Sequence, residues 1–435
     1  MNTKSVLEAR VYPNLTLLVI MAVTVIAFLP SLFNGFQMGW DDQWMVVNPI
    51  TPKGLDIVVM KHYFTEGYHG QYSPLNQLMY SILYAIDGYN PMVYHAACLI
   101  FHLLNIVLVY RILGMIMSDC CCQLDYSRIY YIVILCSVFF AIHPLQVESV
   151  AWISASKNVL STFFYLLASY IFIIYIKQGG LLYYLTTIVL FGLAYLVKEQ
   201  VVTFSLWITL LYTWYGNNPR TLKFWKTLSP LYAISFVCGL FLLFPVFSYD
   251  SYIQGGTYQW WQRLVFAFYS FTTYFCKWIF PSNLSWMYHF PVPLGRPLPE
   301  WMLLYPILVC VITISFWKSI CNRYISSALL FTLVHLLFVL HFIVLPRAAI
   351  IADRYMYLPI LGFSFIFAYI ITSPGVFNKC GKIIPILVVL QIVAYSVFTH
   401  LRTMDWKDSQ TLKKELYRDN DSLLTTTIKQ NEKNE

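Results

Sequence analysis

Long apolar runs broken by short polar connections recur along the whole chain. A spanning helix needs about 20 mostly apolar residues. Runs of roughly that size lie near 12–33, 92–115, 129–143, 158–176, 181–197, 201–216, 229–247, 302–317, 326–345, 357–373 and 383–400. They predict an all-α polytopic membrane protein with about eleven transmembrane helices. The first run is too long for a removable signal peptide and no small-residue cleavage site follows it, so it reads as a signal anchor. Residues 264–280 form one more apolar run, but a short one that carries Lys277. It reads as an interfacial or re-entrant helix.

The polar connections orient the spans, because Lys and Arg concentrate in short cytoplasmic loops. With the N-terminus inside, those loops hold Lys4, Arg10, Arg111, Arg128, Lys177, Arg220, Lys223, Lys226, Lys318, Arg323, Lys379 and Lys382. Two large loops, about 34–91 and about 248–301, then face outward. Residues 1–400 read as one membrane domain, followed by a short polar extracytoplasmic tail, 401–435. No Gly/Ser linker, heptad or tandem repeat divides the chain.

Composition sharpens this picture. Of 435 residues, 59% are hydrophobic and 11% charged, where a soluble domain carries about 25% charged residues. The mean hydropathy is +0.63. An ordinary soluble enzyme, a disordered chain and a fibrous protein are excluded. The net charge of +8 does not point to nucleic acid, since many of its cations orient spans. Most of the 10 cysteines sit in apolar runs and read as small hydrophobes. Cys120, Cys121 and Cys122 are adjacent and lack the two-residue gaps of a zinc knuckle.

Seven polar constellations interrupt the apolar pattern, and all fall on the outer side under this orientation. Asp41 and Asp42 sit between Trp40 and Trp44; adjacent carboxylates can push one pKa upward and supply a base. A capped helix start between two interfacial Trp anchors is the competing reading. Tyr72, with His62, Gln71 and Asn90, interleaves polar groups with aromatics as a sugar-binding surface does, though taken alone the stretch reads more readily as an amphipathic interfacial helix ended by the turn Gly88–Pro91. The same constellation includes His95, which with His102 and Asn105 forms a polar stripe on the second span, a pattern that more often joins helices than binds metal. His143 and Glu148 flank Pro144, with Lys157 following; a hydrogen-bonded corner and a substrate contact are both compatible with them. Lys198 and Glu199 could neutralise each other. Arg347 precedes Asp353, Arg354 and Tyr355; two guanidinium forks can grip a phosphate, and a snorkelling Arg with a partner acid is the competing reading. The last two constellations are the aromatic stretch Ile279–Pro291 and the exit of the last span, Arg402 to Asp408.

The segments WDDQWMVVNP, HPLQVESVAWISASKN, LVKEQVVTF, IFPSNLSWMY, ADRYMYLPILGF and RTMDWKDSQTL resemble the membrane half of the transmembrane and tetratricopeptide-repeat O-mannosyltransferase family and its bacterial relatives. The resemblance runs from about residue 34 to 416 in order and approximate spacing. It implies a GT-C glycosyltransferase fold, a polyprenyl-phosphate sugar donor and transfer on the non-cytoplasmic face. No 34-residue repeat follows Trp406, which fits a bacterial-type member in the inner (plasma) membrane, with the endoplasmic reticulum membrane as the alternative.

By the same resemblance, Asp41 and Asp42 match the position of the catalytic acid in the first outer loop. Arg354, Arg347 and Lys198 would bind the donor phosphate. His143, Glu148, Asp353, Tyr355, Tyr72 and His95 would orient substrate. The expected reaction moves mannose or another hexose to a hydroxyl acceptor with inversion. Protein Ser/Thr is the expected acceptor, with a lipid or glycan as the alternative. No cofactor is expected. Asp41, Asp42 and Glu148 would be the ligands of a divalent metal, which is not favoured because the expected donor lacks a nucleotide pyrophosphate. A lipid-linked saccharide transporter is the reading from another class, and the clustering of charge at one face argues against it.

Overall fold

The computed structural model describes residues 14–66, 71–248, 258–342, 349–376, 381 and 383–414. Each apolar run of the sequence falls on a helix. The longer helices are α1 (Asn14–Phe28), α2 (Pro74–Asp87), α3 (Pro91–Cys120), α4 (Tyr126–Ile142), α5 (Ser156–Gln178), α6 (Leu181–Val197), α7 (Phe204–Trp214), α8 (Leu222–Ser248), α9 (Trp260–Ile279), α10 (Leu304–Ser315), α11 (Arg323–Leu336), α12 (Ile360–Ile371) and α13 (Ile383–Asp405). No strand occurs among the described residues; an isolated bridge pairs Tyr288 with Ile351. The protein is an all-α, multi-pass membrane protein.

Fewer helices meet the length and apolarity of a full span than the sequence predicts. Among the described residues, four helices are long and apolar enough to cross a bilayer. They are α1 with its 3-10 extension to Phe33, α3, α5 with the turn before it, and α13. A fifth candidate is α4, if it is joined to Pro144–Ala151 across a 51° bend. The runs 181–197, 300–315, 323–336 and 360–371 form shorter apolar helices. The 264–280 run forms α9, which is not among the candidate spans. It is amphipathic, burying Val265, Phe266, Ser270, Tyr274 and Trp278 on one face.

Local sequence sets the helix ends. Pro74 and Pro91 occupy first-turn positions, where a missing N–H costs nothing. Asn90 caps α3 by accepting from Met92 N at 3.1 Å. Gly179 and Gly180, at φ +73° and +98°, reverse the chain between α5 and α6. Pro144 ends α4 and starts the bend.

The core lies where α3, α4 and α5 meet. Phe139, Phe140, Tyr165 and Phe172 are completely or almost completely buried there, and the buried Phe204 of α7 packs on Tyr165 and on Phe191 of α6. At the periphery the pattern inverts. No residue of α10 is buried, and α13 exposes Ile386, Leu387, Val389 and Leu390 while burying Tyr395, Thr399 and Thr403. An apolar outer surface of this kind is what a lipid solvent requires. Thr399 makes an interhelical contact, donating to Ile142 O at 2.6 Å, while Thr403 donates within its own helix to Thr399 O at 2.7 Å.

The segment read as a tail is tied down at its start. α13 continues to Asp405, and Trp406 and Leu412 are buried. Gln37 donates to Trp406 O at 2.6 Å and Gly35 N to Lys407 O at 2.8 Å. Residues up to 414 are therefore part of the packed body.

Candidate active site

The site forms where helix ends from distant parts of the chain meet at one end of the bundle. Asp41 follows α1, Glu148 follows the α4 bend, Lys157 opens α5, Lys198 ends α6 and Arg354 lies in the turn Asp353–Met356. Helix ends suit this role because their leftover backbone groups tolerate water and polar partners.

The two adjacent carboxylates separate into different environments. Asp42 has no exposed surface. Its Oδ2 accepts from Gln37 N at 2.8 Å. Its Oδ1 accepts from Ser154 N at 2.9 Å and also from the Ser154 hydroxyl. Burial raises its pKa and these three donors oppose the rise. Asp41 is half-buried. Burial raises its pKa as well, against the Lys157 ammonium and the Arg354 guanidinium, which favour the charged form.

Arg354 is anchored by Glu148. The guanidinium Nη1 bonds to Glu148 Oε1, and the Arg354 backbone N donates to Oε2 at 2.7 Å. Glu148 is 3% exposed and Arg354 24%, so the pair has a closed side and an open side. The guanidinium also packs on Trp152 and Tyr355, 5.4 and 5.1 Å from their ring centroids. Lys198 donates to Asn158 Oδ1 and lies 5.8 Å over the Tyr355 ring. Burial pulls Lys198 down to about 7; Glu199 opposes this and Lys157 and Arg354 add to it. Lys157 Nζ donates to Gln71 Oε1 at 2.5 Å. Arg354, Lys198, Tyr355 and Asn158 line a narrow cavity of about 60 Å³ with Gln200, Tyr165 and His335.

Other expected site residues lie elsewhere or are already committed. His143 is completely buried: Nε2 donates to Trp278 O at 2.8 Å and Nδ1 accepts from Leu145 N at 3.2 Å. It fixes the α4 bend to α9 and leaves no nitrogen for a substrate. Asp353 is buried and accepts from Tyr288 O–H at 2.8 Å; burial and then Glu148 raise its pKa, against Lys277 and Arg402. His95 is buried within α3, facing the backbone of Asn34 and Gly35. Tyr72 donates to Phe64 O at 3.1 Å. Arg347 lies outside the described residues.

The geometry adds residues to those the sequence singled out for the site. Lys157, Asn158 and Glu199 join it, each beside a residue already chosen, and their polarity at an apolar boundary is the signal that marks them. Four indoles form a wall beside it: Trp40 meets Trp286 at 4.4 Å, Trp152 lies 6.4 Å from Trp40, and Trp406 stacks on Trp152 at 5.5 Å. Among the described residues no three His, Cys, Asp or Glu side chains are grouped to hold a metal. Asp42 and Glu148 spend their oxygens on Gln37, Ser154 and Arg354 instead.

The chain matches two curated relatives over long stretches. Protein O-mannosyl-transferase F38B6.6 of Caenorhabditis elegans is 24% identical over 421 residues, covering 91% of this chain and 56% of that protein. Protein O-mannosyl-transferase TMTC3 of Homo sapiens is 27% identical over 200 residues, covering 42% of this chain and 20% of that protein. The chain thus spans little more than half the length of the first relative and a fifth of the second. No family model matches the chain, and no solved structure matches it. Across 91% of its length the chain is thus similar, at 24% identity, to a protein O-mannosyl-transferase.

Proposed function

We propose that this chain is a GT-C-type glycosyltransferase that moves a hexose, mannose in the first instance, from a polyprenyl-phosphate donor to a protein Ser/Thr hydroxyl on the non-cytoplasmic face. The observation that carries this reading is a half-open carboxylate, Asp41, within the field of Lys157 and Arg354, whose charges also act on Lys198, at one end of a membrane bundle. The names of the two relatives support the sugar and the protein acceptor.

Asp41 takes the proton of the acceptor hydroxyl as that oxygen bonds to the anomeric carbon. The bond from this carbon to the phosphate oxygen breaks, and its electron pair leaves with the phosphate. One displacement inverts the anomeric centre. Arg354 and Lys198 meet the charge left on the lipid phosphate, which is already a good leaving group. Glu148 acts as a positioning residue that aims Arg354. Asp42 holds the Asp41 loop against Ser154. A saccharide transporter would need polar groups on a path between both faces, whereas these charged groups gather at one end.

The test is transfer from polyprenyl-phosphate mannose to a Ser/Thr peptide by the purified protein, read by mass spectrometry. Arg354→Ala and Lys198→Gln should each lower transfer roughly 10²–10³-fold and raise the apparent KM for donor more than for peptide. Folded variants with unchanged donor use would overturn the phosphate assignment. No transfer by wild type from any polyprenyl-phosphate hexose would overturn the reaction.

A further inference from the structure

A second cleft lies at the far end of the bundle from the candidate active site. Lys157 and Tyr175 stand at opposite ends of α5, roughly 27 Å apart along its axis at about 1.5 Å per residue. The cleft has a volume of about 460 Å³ and is lined by Tyr175, Tyr184, Leu222, Lys223, Lys226 and Thr227. Its walls are rigidly joined: the Tyr175 and Tyr184 rings meet at 5.2 Å, and Tyr184 O–H donates to Thr227 O at 2.6 Å.

Charge in this region is unevenly matched. Lys177 is neutralised by Asp119 at 2.8 Å. Lys223 and Lys226, one helical turn apart on α8, are exposed, and no ion pair with a described carboxylate reaches either. Apolar surface borders them. Leu222 is 70% exposed, as is Leu181, with Leu182 at 74% and Trp225 at 48%. The Trp225 indole N–H is held by Pro219 O at 2.8 Å, the arrangement of an interfacial anchor.

We propose that this cleft seats the headgroup of an anionic phospholipid. The two ammonium groups would meet the phosphate, the tyrosines would frame the headgroup, and the acyl chains would run along the exposed leucines of α6 and α8. Cations, interfacial aromatics and apolar helix surface meeting in one place are what an anionic lipid recognises. A soluble anion would use the lysines and gain nothing from the leucines. The inference stands apart from the proposed catalytic reading.

The experiment uses the full chain in phosphatidylcholine nanodiscs doped with phosphatidylglycerol. Native mass spectrometry reads retained lipid, and a photoactivatable phosphatidylglycerol maps its seat. Wild type should retain phosphatidylglycerol over phosphatidylcholine and crosslink at the start of α8. Lys223→Gln/Lys226→Gln should retain it roughly 30-fold less, and Lys223→Arg/Lys226→Arg should keep the preference. Equal retention by wild type and the glutamine variant overturns the proposal. So does displacement of the retained lipid by water-soluble glycerol phosphate, which would assign the cleft to a free phosphate. Should the glutamine variant fail to fold, wild type still decides: no preference for phosphatidylglycerol, or crosslinks confined elsewhere, overturns it.

Discussion

Two neighbouring aspartates of the same residue type have opposite relations to water. Asp42 spends its carboxylate on three donors from Gln37 and Ser154, whereas Asp41 keeps an open face toward cations. Asp41→Asn should therefore cost about 10²–10⁴-fold in transfer with an unchanged melting temperature. Asp42→Ala should lower the melting temperature, because each buried donor left without a partner costs about 1–3 kcal/mol. The reverse assignment of losses, read by paired activity and thermal-unfolding measurements, would exchange the two roles. Lys198 sets a second expectation at this scale. Its amine loses a proton near pH 7 in the free protein, and a neutral amine no longer attracts a phosphate. The kcat/KM for donor should then fall as pH rises through about 7. Lys198→Arg, whose guanidinium stays protonated, should flatten that alkaline limb in a pH–rate profile.

Among the elements, close contacts rather than hydropathy decide how helices meet. At Gly362, a Cβ would lie 2.0 Å from Thr332 Oγ1 and 2.4 Å from Ala328 O, so α12 rests directly on α11. Gly362→Ala should destabilise the protein by about 1–3 kcal/mol, seen as a lower melting temperature in detergent. Gly239 meets nothing within 4 Å, so Gly239→Ala is the control expected to be tolerated. The α4 bend shows a second kind of decision. The sequence offers His143, Pro144 and Glu148 as either a corner or a substrate contact. In the structure His143 ties the corner to α9 through Trp278 O, while Glu148 turns to Arg354. The apolar runs were legible because lipid and core both demand apolar side chains. Their lengths were not, since hydropathy marks where a helix is apolar and hydrogen bonding decides where it stops.

For the molecule as a whole, the two ends of the described chain close on each other beside the site. Gln37 bridges them, its backbone N–H donating to Asp42 and its side chain to Trp406 O. Trp406 is 1% exposed and stacks on Trp152, which in turn carries the Arg354 guanidinium. Trp406→Ala should cost about 3–5 kcal/mol of stability and loosen the loop that holds both aspartates. Thermal unfolding should show the loss, and Trp406→Phe should restore most of it. An unchanged melting temperature would mean that residues beyond α13 are dispensable to the fold. The sequence alone determined that the chain is helical and membrane-embedded, because apolar composition and periodicity are local properties of successive residues. It also placed the polar groups at helix ends, where charge can be solvated. Only the tertiary structure decided which aspartate is open, because Ser154 lies 112 positions from Asp42. Only the tertiary structure decided which acid aims Arg354, because Glu148 lies 206 positions away from it. Contacts over such separations leave no periodic trace in the chain; they exist only once the helices have packed.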